Sequence, residues 1–328
     1  MEDFDPKLLD DRVYGEKSLV KMWCMRGTIH IIPSKDLPVY VNALKRMWFE
    51  HHGRFMQTPE WPSLERTLLP KILEALAEKP LRRKELDSRV RSLLEKGKKD
   101  FDPRVFSSWG GILKVTNYYG LTVFAEPCGK ESCFARLDKW LPHVDLNEIS
   151  EEQARTKLLL KYLHCYGPAS AEDFACWSGL LTSEANGIIE ANLNRLGEVC
   201  VENSKKLFWM LKEDFKALET IDLQEEAAPR LLPKFDSYLL GHKDRTRIID
   251  EQFRQQVFRP VVGDIAATIL VNGRIAGMWT YKKTKTKLSV ILTPFRRLGK
   301  KTVAELERLV KGLGDFMDIR QTATRINN

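Results

Sequence analysis

Arg26, Thr28 and His30 stand two residues apart in MWCMRGTIHIIP (Met22–Pro33), a spacing that would set all three on one face of a strand. A guanidinium holds a phosphate by two parallel hydrogen bonds, and Gly27 lets a backbone approach closely; the hydroxyl and imidazole extend the same face. The chemistry on offer is the grip of a polyanion; the plainer alternative is a hairpin arm with polar residues facing water. LLPKFDSYLLGHKDRTRIID (Leu231–Asp250) is the second such stretch. Read as a strand, its alternating Lys234, Asp236 and Tyr238 would share a face, and Gly241 would turn the chain into a dense run holding His242, Lys243 and Arg245. Local physics leaves two readings open: a hairpin with an internal Lys–Asp pair, worth little at a surface, or the wall of a cleft that grips a sugar–phosphate backbone. Third, Tyr281–Lys301 holds eight basic residues and no acid, beginning with Lys282 and Lys283. A solvated loop explains any three of these cations; the whole run is better explained by phosphate contact.

Bond-making constellations are scarce. The sequence has no Gly-x-Ser-x-Gly, P-loop, Gly-x-Gly-x-x-Gly or His-Glu-x-x-His. Its six cysteines show no Cys-x-x-Cys and no paired histidine spacing, so no metal site is expected and the thiols read as reduced and mostly packed. His51 and His52 are adjacent and expected in solvent, and His164 lies near a helix end, where a packing or dipole role is expected rather than ligation. The net charge of +8 favours an anionic partner. With 43% apolar residues, no uncharged apolar run long enough to span a bilayer, and an acidic first segment (MEDFDPKLLDD), the expected location is the cytoplasm.

The elements that must position these residues follow from pattern. A short amphipathic helix, the Arg-Gly-Thr strand and a helix capped by Ser34 occupy the first fifty residues, and HHGRF (His51–Phe55) breaks the pattern. PKILEALAEKPLRRKELDSRV from Pro70 then aligns with TKLLLKYLHCYGPASAEDFACWS from Thr156. Ile72, Leu73 and Leu76 match Leu159, Leu160 and Leu163, while Pro80 matches Pro168 and Leu86 matches Phe174. Each block reads as helix, proline turn and second helix. A third helix follows, around Asp102–Leu113 or Thr182–Leu196, and then strands: GLTVFAE with SCFARLDKWL, or VCVENSKKLFWML with NSKK as its turn. Three helices and a two-stranded ribbon make a winged helix. From Pro229 the chain turns to strands, with Asn272-Gly273 as a hairpin turn, and a final helix has Thr302 as its expected cap. The expected class is α+β: tandem winged helices followed by a small β-barrel-like domain. The divisions are 1–58 for a partial first winged helix, 59–148 and 149–226 for the second and third, and 227–328 for the mostly-β domain with its terminal helix.

RGTIHIIPSKDLP, SWGGILK, YGPASAEDFACWSGL, LLPKFDSYLLGHKDRTR and VNGRIAGMW, in this order, resemble the AlkZ-like (YcaQ-like) winged-helix DNA glycosylases from about Phe4 to past Trp279. The resemblance implies tandem winged helices and a β-barrel around a basic channel. It also implies hydrolysis of the N-glycosidic bond of alkylated or crosslinked purines in double-stranded DNA, as a monofunctional base-excision enzyme without metal or cofactor. The residues expected at the DNA are Arg26, Thr28 and His30, with Lys234, His242, Lys243 and Arg245 opposite them, together with Asp236, Tyr238, Lys282 and Lys283.

The family's catalytic Gln-x-Gln or Gln-x-Asp belongs to a helix some thirty or more residues before the Arg-Gly-Thr strand. The seven glutamines of this sequence (57, 153, 224, 252, 255, 256 and 321) form neither motif. No catalytic residue is therefore assigned, and the first winged helix reads as lacking its opening helices. Two readings stand: a shortened product of a gene that encodes an active enzyme, or a DNA-binding paralogue or regulator that does not cut. Trp23, Met25, Ile29 and Ile31 are the expected uncovered face, through which an otherwise monomeric chain would self-associate.

Overall fold

The computed structural model describes residues 5–45, 61–95, 101–107, 111–202, 204–221, 227–259 and 263–327. The expected break at His51–Phe55, the Ser108-Trp109-Gly110 opening of SWGGILK and Asn203 of the NSKK turn lie outside them. The chain forms two compact units, Met1–Leu211 and Lys212–Asn328.

In the first unit, Asp5 accepts the Lys7 amide at 2.9 Å and caps the short helix Pro6–Asp10 (α1). Leu19–Trp23 (β1) and Ile29–Pro33 (β2) form an antiparallel hairpin with Trp23 opposite Ile29. Ser34 does not cap the helix that follows. Its hydroxyl donates to the Lys17 carbonyl at 2.5 Å, a 3₁₀ turn intervenes, and the helix runs Leu37–Leu44 (α2). This helix is buried over most of its surface because it packs along Glu151–Tyr166, and Asn42 there donates to the carbonyls of Leu146 and Ile149 at 2.6 and 3.1 Å.

The two aligned blocks fold alike. The first comprises Trp61–Ala75 (α3), Leu81–Arg82 (β3), Arg83–Leu93 (α4), Gly111–Tyr118 (α5), Thr122–Cys128 (β4), Glu131–Arg136 (β5) and Leu137–Trp140 (α6), with strand order β3-β5-β4. The second comprises Glu151–Tyr166 (α7), Ala171–Ser178 (α8), Thr182–Glu190 (α9), Leu196–Val199 (β6) and Phe208–Leu211 (β7), the last two paired antiparallel. The matched residues Ile72 and Leu159, Leu76 and Leu163, and Leu86 and Phe174 are all buried. The third helices are shorter than expected. In the first block Asp102 caps a 3₁₀ turn, Pro103–Phe106, in place of a helix start. In the second, Asn192 turns back to donate to the Ile188 carbonyl and the Thr156 hydroxyl (2.8 and 3.1 Å), so the helix stops at Glu190 and the ribbon begins at Leu196. The strand in SCFARLDKWL ends at Arg136, where the Arg136–Asp138 pair opens a helical turn.

One apolar core runs through this unit. Trp23 packs against Phe124 and Phe134, with ring centroids 4.6 and 5.9 Å apart, and Tyr162 sits among Tyr166, Phe174 and Trp177. The expected uncovered face is therefore half covered: Trp23 and Met25 are buried, while Ile29 and Ile31 are exposed.

The second unit holds Phe215–Glu219 (α10), Arg230–Leu232 (β8), Ser237–Leu240 (α11), Glu251–Val257 (α12), Phe258–Arg259 (β9), Asp264–Ile265 (β10), Thr268–Val271 (β11), Arg274–Lys283 (β12), Lys287–Pro294 (β13), Lys300–Phe316 (α13) and Gln321–Ile326 (β14). Its main sheet has the order β14-β13-β12-β11-β8 and, among the described residues, does not close into a barrel. Leu306 and Val310 of α13 pack on Ile269, Trp279 and Leu292, while Leu239, Ile248, Ile249, Val257 and Phe258 form a second cluster with Ile275. Strand β14, which pairs in parallel with β13, was not expected. QTATRI is too polar to read as a strand, and it can be polar because it lies at the sheet's edge. Gly314 lets α13 approach this strand, since a Cβ there would meet Thr322 Cγ2 at 2.3 Å. Thr302 lies inside α13, which starts two residues earlier, after Gly299.

Candidate nucleic-acid interface

In the first unit the Arg-Gly-Thr segment is a turn before it is a strand. Arg26 and Gly27 both occupy the left-handed region (φ 55° and 69°), and the chain closes through Cys24 N–H to Thr28 O and Gly27 N–H to Cys24 O, each 2.9 Å. Helix α5 fixes this turn from beneath. Asn117 accepts the Trp23 amide at 3.1 Å and donates to Thr122 Oγ1 at 2.9 Å, and Tyr118 Oη donates to the Cys24 carbonyl at 2.5 Å. These buried polar groups are mutually satisfied, so they rigidify the site.

The expectation that Arg26, Thr28 and His30 share one strand face is corrected by this geometry. The left-handed conformation turns Arg26 inward, and its Nη1 donates a short hydrogen bond to the carbonyl of Trp177, in the last turn of α8. A cation at the carbonyl end of a helix is favourably placed. Burial lowers the Arg26 pKa.

Thr28 and His30 do meet, with Thr28 Oγ1 2.8 Å from His30 Nε2. The Thr28 hydroxyl donates to the Met25 carbonyl (3.1 Å), so its oxygen is free to accept the Nε2 proton, and the neutral ring carries its hydrogen there. Burial first, and the Arg26 charge second, push the His30 pKa down to about 4 against the hydrogen bond to Met25. At neutral pH His30 is an uncharged hydrogen-bonding group.

A cavity of about 410 Å³ adjoins the hairpin, with Trp23, Ile29 and Phe124 on its wall. Arg83 and Lys84, from the start of α4, and Lys130, from the β4–β5 turn, supply three cations against one acid, Glu131. Sequence reasoning missed this group because its members lie far apart in the chain. The signal was present in part, as the RRK run opening the second helix of the first block.

In the second unit, Lys234, Asp236 and Tyr238 do not alternate on a strand. Strand β8 ends at Leu232, Phe235 takes a positive φ of 57°, and the chain enters α11. Each residue serves the local fold. Lys234 pairs with Asp264 at 3.1 Å, and Arg259 binds the same carboxylate. Asp236 caps α11 by accepting the Tyr238 amide at 2.9 Å, and Tyr238 Oη donates to the Gly273 carbonyl at 2.7 Å, tying the helix to the Asn272–Gly273 turn. Burial raises the Tyr238 pKa, against the charges of Arg247 and Arg274. Beyond α11, His242 is half-buried and Lys243 exposed, while the Arg245 guanidinium lies 4.0 Å from the Phe258 ring centroid. Asp250 holds Arg274 and Arg296 at 2.7 and 2.8 Å.

The β12–β13 hairpin differs. Residues 281–287 are all exposed, and among the described residues Lys282, Lys283, Lys285 and Lys287 make no ion pair. Thr284 closes the turn, its N–H donating to the Lys287 carbonyl at 2.9 Å and its hydroxyl accepting the Lys287 N–H at 3.0 Å. The arm is held by backbone and threonine, leaving its ammonium groups available. Among the described residues, no cluster of His, Cys, Asp and Glu is arranged to hold a metal ion, and no helix is long and apolar enough to cross a membrane.

The family model described as DNA glycosylase AlkZ-like matches residues 1–316. An interstrand DNA cross-link repair glycosylase of Streptomyces sahachiroi is 25% identical over 306 residues, covering 87% of this chain and 75% of that protein. The solved structure of the Streptomyces sahachiroi DNA glycosylase AlkZ has the same fold, with a TM-score of 0.81 over 98% of this chain and 85% of that one, at 23% identity.

Proposed function

Because the chain belongs to the AlkZ-like family of DNA glycosylases, we propose that it binds damaged double-stranded DNA and serves base-excision repair in the cytoplasm. One observation carries the reading: the β12–β13 hairpin holds four exposed lysines in six residues with no ion pair among them, an arrangement with no structural use and a direct one against phosphate. In this reading Lys282 and Lys283, with Lys285 and Lys287, contact the backbone of the duplex. Lys243, Arg83, Lys84 and Lys130 add charge, and Thr28 and His30 supply neutral hydrogen bonds. Arg26, Asp236 and Tyr238 hold the elements that present these groups. We read the blocks of three helices and a ribbon, 61–136 and 151–211, as winged helices, which dock on duplex DNA.

The reaction proposed for the family member that carries Gln-x-Gln or Gln-x-Asp is hydrolysis of the N-glycosidic bond of an alkylated or crosslinked base. As that bond breaks, positive charge develops at the anomeric carbon. Flanking phosphates held rigidly by the protein favour the charge, and an aimed water captures the sugar. The seven glutamines of this sequence form neither motif, and that observation favours a second reading in which this chain binds lesions without cutting.

Anisotropy titrations of a labelled duplex at several salt concentrations test the binding. Each lysine that neutralises a phosphate adds about 0.9 to the salt slope, so replacing the four hairpin lysines by alanine should lower it by about 3.6. An unchanged affinity and slope would overturn the assignment. Incubation with alkylated or crosslinked duplex, followed by alkaline cleavage of abasic sites, separates the two readings: strand breaks mean hydrolysis, and tight binding without breaks means the non-cutting form.

A further inference from the structure

The β4–β5 hairpin carries two cysteines that a regular ladder would keep apart. Ala125 lies opposite Cys133 and Cys128 opposite Glu131, so two residues of β4, Glu126 and Pro127, face one residue of β5, Ser132. Without that bulge, Cys128 would point to the sheet face opposite Cys133, because side chains alternate along a strand. The extra residue shifts the alternation by one, and Cys128 emerges on the face that Glu131 and Cys133 share; bulges redirect side chains in this way. Proline at position 127 suits the bulge, since it has no N–H to give to a ladder. The two thiols are thus diagonal neighbours on one face of the hairpin, and they interact electrostatically. Strand β3 completes the group: Arg82 stands directly opposite Cys133 on β5, and its charge interacts with Cys128.

Exposure divides the roles. Cys128 is exposed and Cys133 is buried. An accessible thiol beside a guanidinium, with a second thiol on the same face, is the arrangement of a redox-active pair. Burial, followed by the neighbouring thiol, raises the Cys133 pKa, so Cys133 remains protonated while Cys128 meets the oxidant.

We propose that Cys128 and Cys133 form a reversible disulfide when the protein meets a hydroperoxide, with Cys128 as the attacking thiol, Cys133 as the resolving one, and Arg82 as the cation beside the attacking sulfur. The thiolate attacks the terminal peroxide oxygen and the O–O bond breaks. The other oxygen leaves as an alcohol, or as water from hydrogen peroxide, and Cys128 becomes a sulfenic acid. The Cys133 sulfur then attacks the Cys128 sulfur, the S–O bond breaks, and water departs with the Cys133 proton. In sum, the two thiols lose two electrons and two protons to the peroxide, and a dithiol reductant restores them. The bond would cross the hairpin at its neck, next to the Gly129–Lys130 turn, and so clamp the strand ends that present Lys130 to the basic cavity.

Trypsin gives a direct test on the full chain, because Lys130 lies between the two cysteines. Reduced protein treated with a small molar excess of hydrogen peroxide and then alkylated should yield Val115–Lys130 and Glu131–Arg136 joined, two hydrogens lighter than the sum of the free peptides. Dithiothreitol should separate them. Arg82→Met should slow formation of the linked pair several-fold at neutral pH, and Cys128→Ser should abolish it. The proposal is overturned if both cysteines are alkylated after peroxide, if Cys128 proceeds alone to a sulfinic acid, or if either pairs with another cysteine; an unchanged rate in Arg82→Met removes Arg82 from the scheme. The wild-type peptide map needs no variant to fold, so it decides the matter alone.

Discussion

Replacing Arg26 separates two roles that the sequence left merged. The guanidinium donates to the carbonyl of Trp177 at the end of α8 while its own backbone sits at φ 55°. A hydrogen bond from a charged group contributes about 1.5–3 kcal/mol, and water recovers part of this because Arg26 is only half-buried. Arg26→Met keeps the apolar stem and the left-handed strain but loses the bond, so it should cost about 2 kcal/mol. Arg26→Gly loses the same bond and relieves roughly 1 kcal/mol of strain, so it should cost about 1. The order is the diagnostic: methionine worse than glycine. Denaturant midpoints followed by tryptophan fluorescence measure it, since Trp177 reports on the site. Salt-dependent DNA titrations supply the second arm. A structural clamp leaves the salt slope unchanged in Arg26→Gly, whereas a phosphate ligand lowers it by about 0.9. A lowered slope with undiminished stability would refute the clamp and return Arg26 to the DNA.

Three further outcomes are expected. Trp23→Ala removes a buried ring from between Phe124 and Phe134, and should cost about 3–5 kcal/mol in equilibrium unfolding; a loss below about 1 kcal/mol would mean that the hairpin does not depend on this packing. Asp236→Ala should cost about 1 kcal/mol through loss of the α11 cap, whereas Asp236→Asn, which keeps an acceptor, should cost a few tenths, as compared by thermal melts. His30 holds its pKa near 4 in the folded chain, against 6.5 unfolded. Between those values the unfolded chain takes up a proton that the folded one refuses, so this residue lowers stability as the pH falls from 6.5 towards 4. His30→Gln should flatten that part of the pH profile relative to wild type, and an imidazole resonance titrating near the unfolded value in the folded protein would contradict the assignment.

Helical repeats were legible because burial is periodic. Ile72 and Leu76, and their counterparts Leu159 and Leu163, are spaced as a helix face must be, and the structure buries all four. The Asn272-Gly273 turn was legible because few other dipeptides tolerate it, and Asn272 does adopt a positive φ. Period alone failed wherever a particular hydrogen bond or a distant partner decided the matter. PKFDSY alternates like a strand, yet the Asp236 carboxylate bonds the Tyr238 amide and bends the chain into a helix. Strand β14 escaped because its partner, β13, lies on the far side of a seventeen-residue helix, and pairing across such a distance leaves no local mark.

The candidate site failed to be legible for a related reason: a sequence shows where charges are but not what neutralises them. Arg26, Lys234 and Arg296 look like DNA contacts when counted along the chain, and each has a partner in its own unit: the Trp177 carbonyl, Asp264 and Asp250. Their common feature is an anion or carbonyl brought close by folding. Lys282, Lys283, Lys285 and Lys287 stand on an arm whose two strands carry no acid, with Ser289 and Leu288 opposite the first two. Mutual repulsion of four ammonium groups on so short a hairpin disfavours the free protein, and a line of phosphates relieves it. That repulsion is why a polyanion is the natural complement of this arm, and why its affinity should fall steeply as salt takes over the same screening.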